Sequence, residues 1–554
     1  MPSQAERSLL RAVSARRMMA DVRRLAAWVR LSGSADEAKA FDHVETTLRE
    51  LGLEVRRYSH PALISLPGPA RLRLPGRGGR WLRAITHSFA VSTPPEGLVG
   101  DLVDLGAGEP AGRLDGAIAL VDGPAGPPRV RQLEAAGAIG AVFVNPDNLH
   151  EMIVSPVWGS PSAESVANLP KLVAVSVRQR DGELLRERIR AGQTATRIEA
   201  RVDTGWRDTP LLTADLAPGR PSTGRSADHF VLFSGHVDSW HRGAMDNGSA
   251  NALQLEMARL LAARRGRLRR GVRFAFWSGH SHGRYSGSSW YADNHWAELH
   301  RNAVLHLNVD SPGGRDADNL ADAPTMAETW ASAAEAIREV AGQELGRHRI
   351  SRFGDQSFWG VGLPSLFVSL SSQPTGGLGW WWHTPADTPD KLDPAHLRRD
   401  AQIYALVLWR WLTARTLPLD YREVVAELRE ELDLLGSSFD VAPALAALDR
   451  MSAAAERLAS LATRAARSPR LAGAVDDALV RIGRELTPVL YTRAGPFDQD
   501  PALPVGYLPG LQPARAFEQL DPDACNHVLI GLTRERNRLV HALETAAAIA
   551  EAVG

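Results

Sequence analysis

Phe230-Val-Leu-Phe233-Ser-Gly-His236-Val-Asp238-Ser-Trp240 opens on an apolar run and closes on a histidine with an aspartate two residues on. Four consecutive apolar residues read as a buried strand. His and Asp at its carboxyl end put metal-ligand chemistry where open α/β sheets bind their ligands. Next comes Gly243-Ala-Met-Asp246-Asn247-Gly248-Ser249, a turn leading into a helix predicted over 249–263. The basic end of that helix suits its dipole. Further strands are predicted at 272–277, 304–308 and 365–370, and helices at 324–341 and 395–415. Strands alternating with helices predict an α/β fold with a mostly parallel sheet covered on both faces.

Outside this segment the texture changes. Residues 18–54 read as two helices, the second with Phe41, Val44, Leu48 and Leu51 on one stripe, stopped by Gly52. From about 60 to 205, Pro and Gly are frequent. Strands at 116–121 and 139–144 with a helix at 130–138 between them read as a small domain of its own. From 418 the chain is almost only helix, at 421–435, 441–467, 471–487 and 531–552, with a proline-rich loop from Pro496 to Pro513.

Two more groups complete the chemistry: Leu307-Asn308-Val309-Asp310 at a strand end, and Trp382-His383-Thr-Pro-Ala-Asp387-Thr-Pro in a later loop. Imidazole and carboxylate together suit zinc and related divalent metals. Each group alone is weak, since Asp246-Asn247-Gly248 by itself makes a good turn and helix cap. Their order and spacing together closely resemble the co-catalytic zinc aminopeptidases and the glutamate carboxypeptidase II relatives. The resemblance continues through Gly354-Asp355-Gln-Ser-Phe-Trp, Gly362-Leu-Pro364 and His383-Thr-Pro-Ala-Asp387-Thr-Pro-Asp390-Lys391-Leu392. It implies that Asp246 bridges two metals, with His236 and Asp310 on one and His383 on the other, and that Asp238 orients His236. Two metals about 3.5–4 Å apart would share an activated water and polarise a carbonyl. It also implies a catalytic domain built from 1–60 and 208–416, an inserted protease-associated domain at 61–207, and a helical domain at 417–554 that makes a homodimer, as in the transferrin-receptor branch.

The chain departs from the family at its decisive motif. Where the family has a Glu-Glu pair after the strand at 272–277, this chain reads Ser278-Gly279-His280-Ser281-His282-Gly283. Counting from the strand puts His280 at the general-base position. Counting back from Gly287-Ser288 puts His282 at the metal-ligand position. In an extended segment both would face the same side. The preferred assignment makes His282 a metal ligand and His280 the proton acceptor. Trp380, Trp381 and Trp382 form either a buried wedge or an aromatic wall for a substrate side chain. Arg284 and Arg352 are weaker candidates for clamping a substrate carboxylate.

Composition narrows the field. Lys plus Arg and Asp plus Glu both number 64, for a net charge of +0, so nothing favours nucleic acid or an acidic membrane as partner. Cys525 is the only cysteine, so neither an intrachain disulfide nor a cysteine metal cluster can form. No signal-like or membrane-spanning apolar run is visible, and a cytoplasmic protein is expected. The expected function is a zinc-dependent hydrolase of peptide or related amide bonds, aminopeptidase- or carboxypeptidase-like, with one or two zinc ions. The alternative is an inactive or single-metal homologue serving as a binding or scaffold protein.

Overall fold

The computed structural model describes residues 2–553 except 75–78, 147, 223, 466 and 467. Its strands are β1 (Glu54–Arg73), β2 (Trp81–Thr86), β3 (Leu98–Gly106), β4 (Ile118–Asp122), β5 (Gly140–Asn145), β6 (Val173–Arg178), β7 (Ala195–Leu216), β8 (Phe230–His236), β9 (Gly271–Trp277), β10 (Ala303–Asn308) and β11 (Ser365–Leu366). They form one mixed sheet in the order β1-β2-β6-β5-β4-β3-β7-β9-β8-β10-β11, with β1 also paired to β7.

The four strands β9, β8, β10 and β11 are parallel. They are buried on both faces, which explains why β8 reads as an unbroken apolar run. Val231 and Phe233 face one core, with Leu253 of helix Ala250–Ala262 and Tyr404 of helix Pro394–Thr413. Phe230 and Leu232 face the other, with Tyr291, Leu299 and Phe358. The carboxyl ends of these strands therefore form one rim, and His236 stands on it.

The insertion is joined to this sheet by a ribbon. β1 and β7 run antiparallel from Glu54↔Asp215 to Arg73↔Arg197. The domain boundaries expected at 60/61 and 207/208 fall inside these strands, so the two parts share backbone hydrogen bonds rather than a linker. Within the insertion, β3, β4, β5 and β6 are parallel and pack two apolar clusters, one of which takes in Trp240 from the loop after β8. The sequence shows only the start of the ribbon, a strand-like stretch at 53–55, because the rest of β1 carries Pro61, Pro67 and Gly68, which read as breakers. A register shift between Pro67 and Ala70 accommodates them. After residue 418 the helices are Tyr421–Leu435, Ala442–Ala465, Pro469–Tyr491 and Pro522–Glu551. The last begins nine residues before its sequence prediction, capped by Asp521.

His87 and His306 are fully buried. His87 Nδ1 accepts from Met152 N–H at 3.2 Å and its Nε2 donates to Ser176 Oγ at 2.8 Å. Burial pushes its pKa down to about 3 and that of His306 to about 4. A native pKa below the unfolded value of about 6.5 means these groups favour folding fully above that pH. The contribution is lost as pH falls from about 6.5 toward 3–4, by about 1.4 kcal/mol per unit for each group. The thermal midpoint is therefore expected to fall between pH 6.5 and 4.5, and His87→Gln is expected to flatten that slope. An unchanged slope would reject the assignment.

Candidate metal centre

The rim loops bring His236, Asp246, Asp310 and His383 together. His236 Nε2 lies 3.2 Å from Asp246 Oδ1 and 3.7 Å from Asp310 Oδ2. His383 Nε2 lies 3.1 Å from the other oxygen, Asp246 Oδ2. Asp246 is thus a buried carboxylate shared between two imidazoles. Burial alone would raise its pKa, but the contacts with His236 and His383 outweigh that and hold it well below the usual range. Burial would likewise lower His236, yet Asp238, Asp246 and Asp310 hold it well above its usual value.

The fit to a metal shows in atoms left without partners. His236 Nε2 and Asp246 Oδ1 are buried with no hydrogen-bond partner. The ligand-bearing nitrogens have the right tautomers. His236 Nδ1 donates to the Asp238 carbonyl at 3.0 Å, and His383 Nδ1 donates to the Glu151 carbonyl at 2.7 Å. Each bond leaves Nε2 as the lone pair facing Asp246, as a metal-ligating imidazole requires.

His280 and His282 do not face the same side. Their segment is a series of turns rather than a strand, with Gly279 at φ 72°, Arg284 at φ 49° and Tyr285 at φ 69°. A Cβ at residue 279 would lie 2.0 Å from Ser286 Oγ, so the turn requires glycine. His280 stacks on His236, ring centroids 3.7 Å apart and 9° from parallel. His236, His280 and Asp310 form a group whose ligand atoms all lie within 4.8 Å of one another. His282 stays outside that group. Its Nδ1 is 3.0 Å from Ser32 Oγ and its ring centroid 4.5 Å from that of Trp240. Burial pushes its pKa down to about 4.

The partners of several positioning groups carry no sequence signal. Asp355 Oδ2 accepts from His280 Nδ1 at 2.9 Å, and its Oδ1 accepts from Ser288 Oγ at 2.8 Å. Ser288 in turn contacts Ser357 Oγ at 2.9 Å, which accepts from Trp158 Nε1 at 2.9 Å. Asp387 accepts from the N–H groups of Met245 at 2.8 Å and Asp246 at 3.0 Å, fixing the bridging residue. Burial raises the Asp387 pKa to about 7.

The Asp238 carboxylate is 3.6 Å from His236 Nδ1, farther than its own carbonyl. It accepts instead from His280 N at 3.2 Å, Ser281 N at 2.8 Å and Ser32 Oγ at 2.8 Å, so it pins the turn that replaced the Glu-Glu pair. Arg30, from the N-terminal part, is buried and donates to the carbonyls of Leu25, Trp28, Val237, Arg242 and Gly243. It holds the loop between His236 and Asp246. A Cβ at Gly243 would lie 2.3 Å from the Asp246 carbonyl.

Trp381 is buried, its indole N–H on Met245 Sδ at 3.1 Å. Trp382 stacks on His383 with centroids 3.5 Å apart. Trp380 is 53% exposed and lines a cavity of about 780 Å³ with Arg315, Leu378, Trp381, Trp382 and Lys391. Arg352 is buried over Trp158 and donates to Gln499 and the Asp500 carbonyl, while Arg284 donates to the Ala502 carbonyl. Both arginines tie down the 499–502 loop.

Residues 218–408 match the model of peptidase family M28. A probable glutamate carboxypeptidase, VP8, of Zea mays is 25% identical over 76% of this chain and 69% of its own length. The probable lipoprotein aminopeptidase LpqL of Mycobacterium tuberculosis is 28% identical over 51% of this chain and 54% of its own. Among solved structures, a peptidase M28 precursor from Shewanella amazonensis superposes with a TM-score of 0.57 at 21% identity, over 74% of this chain and 97% of that one. A zinc aminopeptidase from Bacillus subtilis gives 0.55 at 20% identity, over 73% and 96%. At those identities the structural likeness is one of fold.

Two outcomes test the support around the site. Asp355→Asn keeps the shape but loses the charge behind His280, and is expected to weaken zinc binding about 10- to 100-fold by competitive chelator titration. Unaltered affinity would free His280 from the metal. Arg30→Met strands buried carbonyls and is expected to destabilise the protein by about 3 kcal/mol or more in denaturant melts. Arg30→Lys is expected to recover little, because an ammonium cannot span the same acceptors.

Proposed function

Residues 218–408 belong to peptidase family M28, and from that premise we propose that this protein is a zinc-dependent hydrolase of peptide bonds whose metal ligands are His236, His280, Asp310 and Asp246, with His383 on the far oxygen of Asp246. The observation that carries this is the sharing of the Asp246 carboxylate, at 3.2 and 3.1 Å, between two imidazoles whose opposite nitrogens are anchored. Bound there, zinc supplies Lewis acidity toward a peptide carbonyl and lowers the pKa of a water. A second ion would use Asp246 and His383.

The protein's own groups do the positioning. Asp387 aims Asp246, Asp238 holds the 280–281 turn, and Asp355 fixes the His280 ring by its Nδ1, leaving Nε2 free to bind. His280 thereby takes the place in the ligand set that sequence spacing gives to His282. A second reading keeps His280 off the metal as proton acceptor, oriented by Asp355 in the manner of a His–Asp pair. Its support is the 2.9 Å bond from His280 Nδ1 to Asp355. In either case Trp380 and its cavity receive an adjacent side chain of the substrate. Residues 61–207 as a protease-associated domain and 417–554 as a homodimer interface complete the proposal.

The purified protein is expected to carry zinc, to hydrolyse peptide amides, to lose activity to a chelator and to regain it with zinc. Asp246→Asn is expected to lose at least about 1000-fold in kcat/KM, a loss on the scale of removing a principal transition-state contact. His280→Ala is expected to lose zinc and His282→Ala to retain it. Retained zinc with lost turnover in His280→Ala would select the second reading. A protein that binds no zinc and cleaves no peptide would leave only a binding or scaffold role.

A further inference from the structure

The missing Glu-Glu pair leaves the rim short of acidic side chains, yet one more carboxylate reaches it from the insertion. The chain between β5 and β6 docks on the loop that carries His383. His150 Nδ1 donates to the Trp382 carbonyl at 2.6 Å. Glu151 N donates to the His383 carbonyl at 3.1 Å, and the Glu151 carbonyl accepts from His383 Nδ1. This clamp uses only the Glu151 backbone. The side chain is 20% exposed, and its Oε1 lies 3.6 Å from His241 Nε2. Among the described residues it has no hydrogen-bond partner and no Arg or Lys within 4.0 Å. His241 Nε2 and His282 Nε2 are buried without partners as well. Trp240 packs nearby, its ring centroid 4.5 Å from that of His282 and 5.3 Å from that of His383.

Two kinds of ligand would suit unpaired acceptors beside an indole. Zinc needs donor atoms within about 4 Å of one another, because its bonds are near 2 Å. Among the described residues the group of three such donors within 4.8 Å of one another is His236, His280 and Asp310, whereas Glu151 and His241, 3.6 Å apart, have no third donor that close to both. A hydrogen-bonded group near 2.9 Å from each partner tolerates acceptors up to about 6 Å apart. An ammonium brings three donors, a charge to match the carboxylate and an affinity for an indole face.

Resting on the peptidase reading above, we propose that Glu151, with His241, binds the free α-amine of the substrate, so that the insertion selects peptides with an unblocked N-terminus. Glu151 is then a specificity residue contributed from outside the segment that matches the peptidase family.

The test compares zinc-loaded wild type with Glu151→Gln on alanine and leucine p-nitroanilides and on their N-acetyl forms. Wild type is expected to prefer the free amines, and Glu151→Gln to lower that preference about 10- to 100-fold, the worth of one charge-assisted hydrogen bond. His241→Ala is expected to lower it in the same sense. Equal losses on both substrate forms, or an unchanged preference, would overturn the proposal. So would loss of zinc in Glu151→Gln, which would make Glu151 a ligand. A calorimetric titration separates this failure from failure of the peptidase reading. If wild type cleaves nothing, the peptidase reading falls. Leucinamide binding more tightly than N-acetylleucinamide, with the difference abolished in Glu151→Gln, would still support an amine site. Equal binding of the two amides by wild type would overturn it.

Discussion

A single carboxylate, Asp246, is held between two imidazoles inside a site that excludes most water, and the surrounding structure serves that contact. An ionised carboxylate is expensive to bury unless its charge is matched. Here one oxygen faces His236 and the other His383. A zinc ion held between them would supply the match, and it needs both rings to present Nε2, which they do because their Nδ1 atoms are committed to backbone carbonyls. Remove either anchor and the ring can turn or change tautomer, leaving a buried charge without compensation.

That requirement explains why distant parts of the chain meet here. Arg30 and Ser32 come from before β1, Glu151 and Trp158 from the insertion, and Asp355 and Asp387 from loops after β10. All but Trp158 touch Asp246 itself, or a residue that neighbours Asp246 or His236, and Trp158 reaches His280 through Ser357, Ser288 and Asp355. The β1–β7 ribbon makes this convergence durable, since it carries the insertion on hydrogen-bonded strands that also border β9. The insertion is therefore a wall of the site rather than an appendage.

How much of this could be seen in the sequence follows from the physics of each part. The β8, β9 and β10 strands were visible because burial on both faces makes them continuously apolar, and His236, Asp246, Asp310 and His383 because they follow strands and turns at recognisable spacing. The ribbon was hidden because prolines and a glycine lie in its middle. His280 and His282 do not share a side because alternation holds only in extended chain, and Gly279 turns the backbone instead. Arg30, Asp355 and Glu151 were beyond sequence reasoning as partners. Their contacts span two hundred residues or more in two cases and depend on tertiary docking in all three, and no local pattern encodes that.

The most direct measurement is anomalous diffraction at the zinc edge from crystals of the zinc-loaded protein. The structure predicts a peak about 2 Å from His236 Nε2 and within bonding reach of Asp246 and Asp310, any second peak lying on the His383 side of the same carboxylate. Zinc located elsewhere, or His236 and Asp246 found turned away from an ion that does bind, would contradict it.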